Sequence, residues 1–426
     1  EGIVQASLSP DQSLILTYGD DPTPRLWDLQ GHLQASLRGH LGSIWSAKFT
    51  PDGQFIISSA RDSTVKLWDL EGRLLHDLRH PTNVLQSVQV SPNQEWILTE
   101  VDSMVSVWNW EGQLVAKFAP QTEEMRENLF SPDGRFVITT NFDAPAYLWD
   151  IAGDTLRKKL HQKPVNSACW SPNGQFLLTS ADDSTAVLWD KDGEPLLIMR
   201  HPNLVKEARF SPLGDYILTQ SYEVATIWDL QGKQVARLEG HQNSISSVIF
   251  SANGQLIVTA SFDHTAKVWT PQGKLLANLD RHTGAVLYTV LSPDEKYIVS
   301  RSVDATAKVW DLSGNLVGDL NQHGDVIYSS TFSADGKYIL THSKAENRVI
   351  LWDLAGNILV DFNKHSRGVY YAEFIANDQF ILTTSEDGTA KIWPTPQTIY
   401  RYLSADPPPL PALPKTDLIR YGVLKE

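Results

Sequence analysis

Between residues 40 and 80 the apolar positions change rhythm from one short segment to the next. Ile44-Trp45-Ser46-Ala47-Lys48-Phe49 mixes apolar and polar positions, and Phe55-Ile56-Ile57-Ser58-Ser59-Ala60 is almost wholly apolar or small. Thr64-Val65-Lys66-Leu67-Trp68 alternates by twos, and Arg73-Leu74-Leu75-His76-Asp77-Leu78 closes on a leucine. Such runs, bounded by turn residues, predict strands. The nearly unbroken second run predicts a strand covered on both faces. Thr50-Pro51-Asp52-Gly53 predicts the first turn, because proline presets one φ and glycine accepts the left-handed region. Arg61-Asp62-Ser63 and Gly72 predict the other two. The unit is four short antiparallel strands, and residues 1–397 carry no helical period.

The unit then repeats. The first turn recurs as Ser9-Pro10-Asp11, Ser131-Pro132-Asp133-Gly134, Ser171-Pro172-Asn173-Gly174 and Ser333-Ala334-Asp335-Gly336. Trp27, Trp68, Trp108, Trp149, Trp189, Trp228, Trp269, Trp310, Trp352 and Trp393 recur every 39 to 42 residues. Asp follows the indole at Asp28, Asp69, Asp150, Asp190, Asp229, Asp311 and Asp353. A period near 40 with Trp-Asp closing the third strand is a blade period. On these residues the chain resembles the WD-repeat β-propellers over residues 3–397. The resemblance implies an all-β fold of ten four-stranded blades arranged radially around a channel.

A polar set travels with each tryptophan. The full sets are His40, Ser58, Asp62, Trp68; His161, Thr179, Asp183, Trp189; His241, Thr259, Asp263, Trp269; His282, Ser300, Asp304, Trp310; and His365, Thr383, Asp387, Trp393. Looser sets are His80, Thr99, Asp102, Trp108; His201, Thr219, Glu223, Trp228; and His323, Thr341, Glu346, Trp352. Ser, His and Asp together could form a hydrolytic triad. Repetition around a ring argues instead for the hydrogen-bond chain that the resemblance implies inside each blade, because buried polar groups must be paired. No Gly-x-Ser-x-Gly elbow accompanies any set. His32, His76, His264 and His342 have no ligand spacing, and no phosphate loop or zinc helix appears. No catalytic residue, cofactor or metal is expected.

The pattern breaks in two places. Before the fourth blade the histidine gives way to Gln121, in the charged stretch Thr122-Glu123-Glu124-Met125-Arg126-Glu127, ahead of Thr139, Asp143 and Trp149. This is either a weakened network beside a binding loop or a seam between two propellers. A seam would leave a seven-bladed ring of blades four to ten behind three blades of an upstream propeller. The ordinary spacing across the break, and the bare strand edges that three orphan blades would expose, favour one ring. The second break is residues 404–426, where Asp406-Pro407-Pro408-Pro409-Leu410-Pro411 predicts extended polyproline that delivers Leu418, Ile419, Tyr421, Val423 and Leu424 to a dock. A ligand for a proline-recognition domain is the alternative. Ile399-Tyr400-Arg401-Tyr402-Leu403 either completes the last blade, within a propeller spanning 1–403, or starts a short helix.

Composition narrows the partners. With 36 Lys plus Arg against 50 Asp plus Glu, the net charge is −14, which argues against phosphate-backbone binding as the main activity. No run of 18 apolar residues offers a membrane span. Cys169 is the one cysteine; it excludes an internal disulfide, reads as a small buried hydrophobe rather than a reactive thiol, and favours a reducing, cytoplasmic setting. The resemblance further implies a protein or peptide ligand on the face where the His-bearing loops and the turns before the third strand emerge. Large residues at those positions make Trp45, Arg61, Phe142, Tyr222, Phe262, Tyr328 and Tyr370 the candidate anchors. Trp45, Arg61, Tyr328 and Tyr370 are expected to form one patch across the ring junction. The array is also similar to the C-terminal sensor arrays of bacterial multidomain signalling proteins, which implies an effector or switch domain before Glu1. A purely architectural array, or a propeller hydrolase or oxidoreductase, are the competing readings.

Overall fold

The computed structural model describes residues 3–79, 85–101, 104–118, 125–153, 155–343 and 345–404. These residues form ten antiparallel sheets in chain order, nine of four strands and a last one of three. In blade two, Ile44–Phe49 pairs with Phe55–Ala60, which pairs with Thr64–Asp69, which pairs with Leu74–Arg79. The strands run up and down, so every His-bearing loop and every turn before a third strand lies at one end of the blades. That end is the loop face, and the opposite end is the turn face.

The turn face shows how local sequence fixes geometry. Gly53 has φ +71°, its N–H donates to the Thr50 carbonyl at 2.8 Å, and the buried Thr50 hydroxyl accepts the Phe55 N–H at 3.1 Å. Glycine meets that backbone without the crowding a Cβ would bring. Blade ten departs from the pattern. Ala376, Asn377 and Asp378 take φ values of 51°, 51° and 63° in succession, and Asp378 accepts the Ala334 N–H of blade nine at 2.6 Å.

Hydrophobic burial lies between blades rather than within them. Leu16, Leu26 and Leu37 of blade one pack with Ile44, Ala47, Ile56 and Trp68 of blade two. The same packing crosses the break before blade four: Leu98, Val105, Val107 and Phe118 meet Phe130, Val137 and Ile151. The buried Asn128 side chain there donates to Glu100 at 2.7 Å. The sequence seam is therefore an ordinary interface, and the seven-plus-three arrangement is corrected. Closure is visible at the other end, where Ile375 and Leu382 of blade ten pack on Ile15 of blade one and the Asn377 N–H donates to Gln12 at 3.2 Å. Ten blades make one ring.

One open alternative is decided and one expectation changes. Blade ten stops at Ala390–Pro394, and Pro396–Ser404 is a helix rather than a fourth strand, with Ile399 buried. Ala390 and Ile392 are left partly exposed, whereas Val349 and Leu351, their counterparts in blade nine, are fully buried. Cys169 is half-buried rather than buried, its Sγ 3.6 Å from the Ala208 carbonyl. The proline-rich tail, His80, Asp102 and Gln121 lie outside the described residues. No helix is long and apolar enough to cross a membrane among the described residues.

Candidate interaction surface on the loop face

The polar sets are packed inside the blades. His40 faces Asp62 through Nδ1 at 3.1 Å and Ser58 through Nε2 at 2.7 Å, and the Trp68 indole N–H donates to Ser58 at 2.7 Å. An indole only donates, so the Ser58 hydrogen goes to His40 Nε2 and the Nδ1–H is left for the carboxylate. The pattern repeats at His161–Asp183 with Thr179 and Trp189 and at His241–Asp263 with Thr259 and Trp269. It repeats again at His282–Asp304 with Ser300 and Trp310 and at His365–Asp387 with Thr383 and Trp393. Glu346 takes the acid's place for His323 at 2.9 Å. In blade six the set is broken: Thr219 accepts the Trp228 N–H at 2.8 Å, but His201 Nε2 is buried without a partner.

Burial lowers the pKa of each network histidine and outweighs the nearby carboxylate, which favours the charged form. Burial pushes Asp263 up, but hydrogen bonds from the Gln242 N–H, the Thr265 hydroxyl and His241 prevail and hold it at about 2. A neutral imidazole beside a carboxylate is the arrangement of a triad. The hydroxyl that would attack is fully buried and already bonded on two sides. These sets brace blades and present no nucleophile.

Two of the candidate anchors, Trp45 and Tyr370, sit where the first strand bulges. Ile44 pairs with Ala60 and Ser46 with Ser59, so Trp45 is the extra residue. Tyr370 is skipped in the same way between Val369 and Tyr371. A bulge re-aims its side chain, here toward the loop face. Trp45 is 48% exposed with the Arg61 guanidinium 4.9 Å from its ring centre. Phe142 is 59% exposed with Arg126 at 5.6 Å. Tyr222 and Phe262 are exposed on their own blades.

Tyr328 is 62% exposed and lines a cleft of about 610 Å³ between blades nine and ten, together with Asp325, Val326, Asn347, Arg367 and Glu386. Tyr370 is half-buried. Glu386 beside its hydroxyl pushes its pKa above the usual phenol range, with burial and Asp20 of blade one adding to the effect. Blade one stands between Tyr370 and Trp45, so the expected junction patch is divided: Tyr328 and Tyr370 border the last two blades, and Trp45 with Arg61 lies on blade two, beyond blade one. Sequence reading missed Tyr288, which is 54% exposed under the Arg301 guanidinium at 5.0 Å. It lies six residues after His282, one beyond the position inspected, and it pairs across the strands with Arg301.

The signature of the IFT122 first beta-propeller matches residues 124–394, and that of the WD domain, G-beta repeat, matches residues 31–69. The chain belongs to the WD-repeat β-propeller family. Among solved structures of this propeller fold, the C-terminal WD40 domain of Sif2 is 17% identical, covering 80% of this chain and 93% of that one, with a TM-score of 0.51. The computationally designed Ika8 protein is 24% identical over 85% of this chain and 99% of its own, with a TM-score of 0.49. No curated protein matches the chain. WD-repeat propellers are in general protein-interaction platforms, and membership brings that coarse reading to this ring.

Proposed function

We propose that the ring is a non-catalytic platform that binds a protein or peptide across its loop face. The observation that supports this most is the set of aromatics held exposed on one face, Trp45 stacked with Arg61 and Tyr328 beside an open cleft. Aromatic anchors with arginine neighbours are where binding energy concentrates, often about 2 kcal/mol or more per anchor. The rigid ring holds them without an ordering cost at the moment of binding.

The finer reading is a sensor or scaffold within a larger cytoplasmic signalling protein, with an effector or switch domain upstream of Glu1. Its support is the length of the array. The test is capture by immobilised wild-type ring against the Trp45→Ala and Tyr328→Ala/Tyr370→Ala variants. A partner held by the wild type and released by either variant, at unchanged melting temperature, carries the reading. Equal capture by all three places binding elsewhere, and turnover without capture would return the enzymatic alternative.

A further inference from the structure

Arg301 lies in the second strand of blade eight, one residue after the network Ser300. Gln220 holds the same place in blade six, and its buried side chain donates to the Ile245 carbonyl of blade seven at 2.7 Å. Arg301 makes the matching tie: Nη1 donates to the Ile327 carbonyl of blade nine at 3.1 Å and to the Tyr328 carbonyl. Ile245 and Ile327 each follow their network histidine by four residues. An uncharged amide is therefore enough to join two blades here.

The guanidinium brings more than the tie requires. No carboxylate pairs with Arg301 among the described residues, and its Nε is buried without a partner. Strand-borne cations elsewhere do meet acids within their own blades, Lys66 with Asp77, Lys308 with Asp319 and Arg348 with Asp361. Burial lowers the Arg301 pKa from its ordinary value; the phenols of Tyr288 and Tyr328 lie near it, as does the buried His342, whose own pKa Arg301 helps to lower. Leaving a half-buried cation without a counter-ion is costly, and this one is flanked by two exposed tyrosines on the loop face.

We propose that Arg301, with Tyr288 and Tyr328 as its walls, is an anion socket that takes the carboxylate side chain of an acidic segment in the bound protein or peptide. This rests on the platform reading and deepens it. In this socket the guanidinium supplies a charge-assisted hydrogen bond, and the two exposed phenols beside it supply further donors to the same anion. A phosphate on a serine shares this chemistry.

The test uses the full chain on an immobilised library of short acetylated peptides with phosphoserine among the building blocks. Wild type should enrich Asp or Glu at one position by about tenfold over Asn or Gln, the weight of one charge-assisted bond. Arg301→Gln, which preserves the tie as Gln220 does, should lose that enrichment while keeping its other preferences and its melting temperature. Arg301→Lys should retain part of it. Enrichment of phosphoserine above Glu would assign the socket to phosphate and keep Arg301 as its base. Acid preference unchanged in Arg301→Gln, or peptides held by the wild type with no preference for an anion, overturns the proposal. A wild-type ring that retains no peptide overturns the platform reading beneath it.

Discussion

Replacing Asp263 by Ala removes the acceptor that holds blade seven's loop to its core. The carboxylate takes the His241 Nδ1–H at 2.8 Å, the Gln242 N–H at 2.9 Å, the Thr265 N–H at 2.9 Å and the Thr265 hydroxyl at 2.7 Å. Three of these donors lie where water can replace the carboxylate, but the His241 side chain is fully buried. The cost is therefore that of one orphaned buried donor, about 1–3 kcal/mol. Because repeat stability is set mainly by each repeat and its neighbours, the loss should appear locally. Hydrogen exchange of blade seven peptides should accelerate by about 5- to 150-fold, with the Trp269 indole N–H among the exposed groups. Blade two, across the ring, should keep its protection. Unchanged exchange in blade seven, or loss of a chemical activity without loss of protection, would refute the structural role.

Blade six supplies the matched control: Glu223 makes no bond to His201, so Glu223→Ala should shift stability by less than about 0.5 kcal/mol, and a larger shift by urea unfolding would show a missing contact. Acid should weaken the ring in two stages. The buried histidines resist protonation, so stability is full above about pH 6.5 and declines below it. Asp263, held at about 2 against an ordinary 3.8, adds about 1 kcal/mol after solvent screening that is present above about pH 4 and lost as pH falls toward 2. A melting temperature flat from pH 7 to 2 would contradict both. Ile15→Ala, at the junction of blades one and ten, should cost about 2–5 kcal/mol and open both blades together in hydrogen exchange; opening confined to blade one would deny closure. Deleting residues 405–426 should lower the melting temperature, since Ala390 and Ile392 lie partly uncovered beside a missing fourth strand; an equally stable trimmed ring would show that the tail does not dock.

The blade period was legible because each blade needs the same donors and acceptors at the same places, and the tryptophan hydrogen bond demands a hydroxyl 9 to 11 residues earlier. Ring size was less legible. The charged stretch before blade four resembles a seam, yet what decides is the apolar face of Phe130, Val137 and Ile151, whose fit to blade three is a matter of packing. The end of blade ten was ambiguous for a physical reason: Ile399-Tyr400-Arg401-Tyr402-Leu403 serves a strand or an amphipathic helix equally, and tertiary context chose the helix. Trp45 could be found by its place after a histidine, because the bulge recurs with the repeat. Arg301 over Tyr288 could not, since it depends on strand register, and the cleft at Tyr328 depends on how two blades meet.

The most direct test of the platform account is hydrogen exchange of the ring with and without a captured peptide. The account predicts new protection on the loop face, in the segments holding Tyr288, Asp325 to Tyr328, Ser366 to Gly368 and Glu386, with the turns at Thr50 to Gly53 and Ser333 to Gly336 unchanged. Protection confined to those turns, with the loop face as exposed as before, would contradict it.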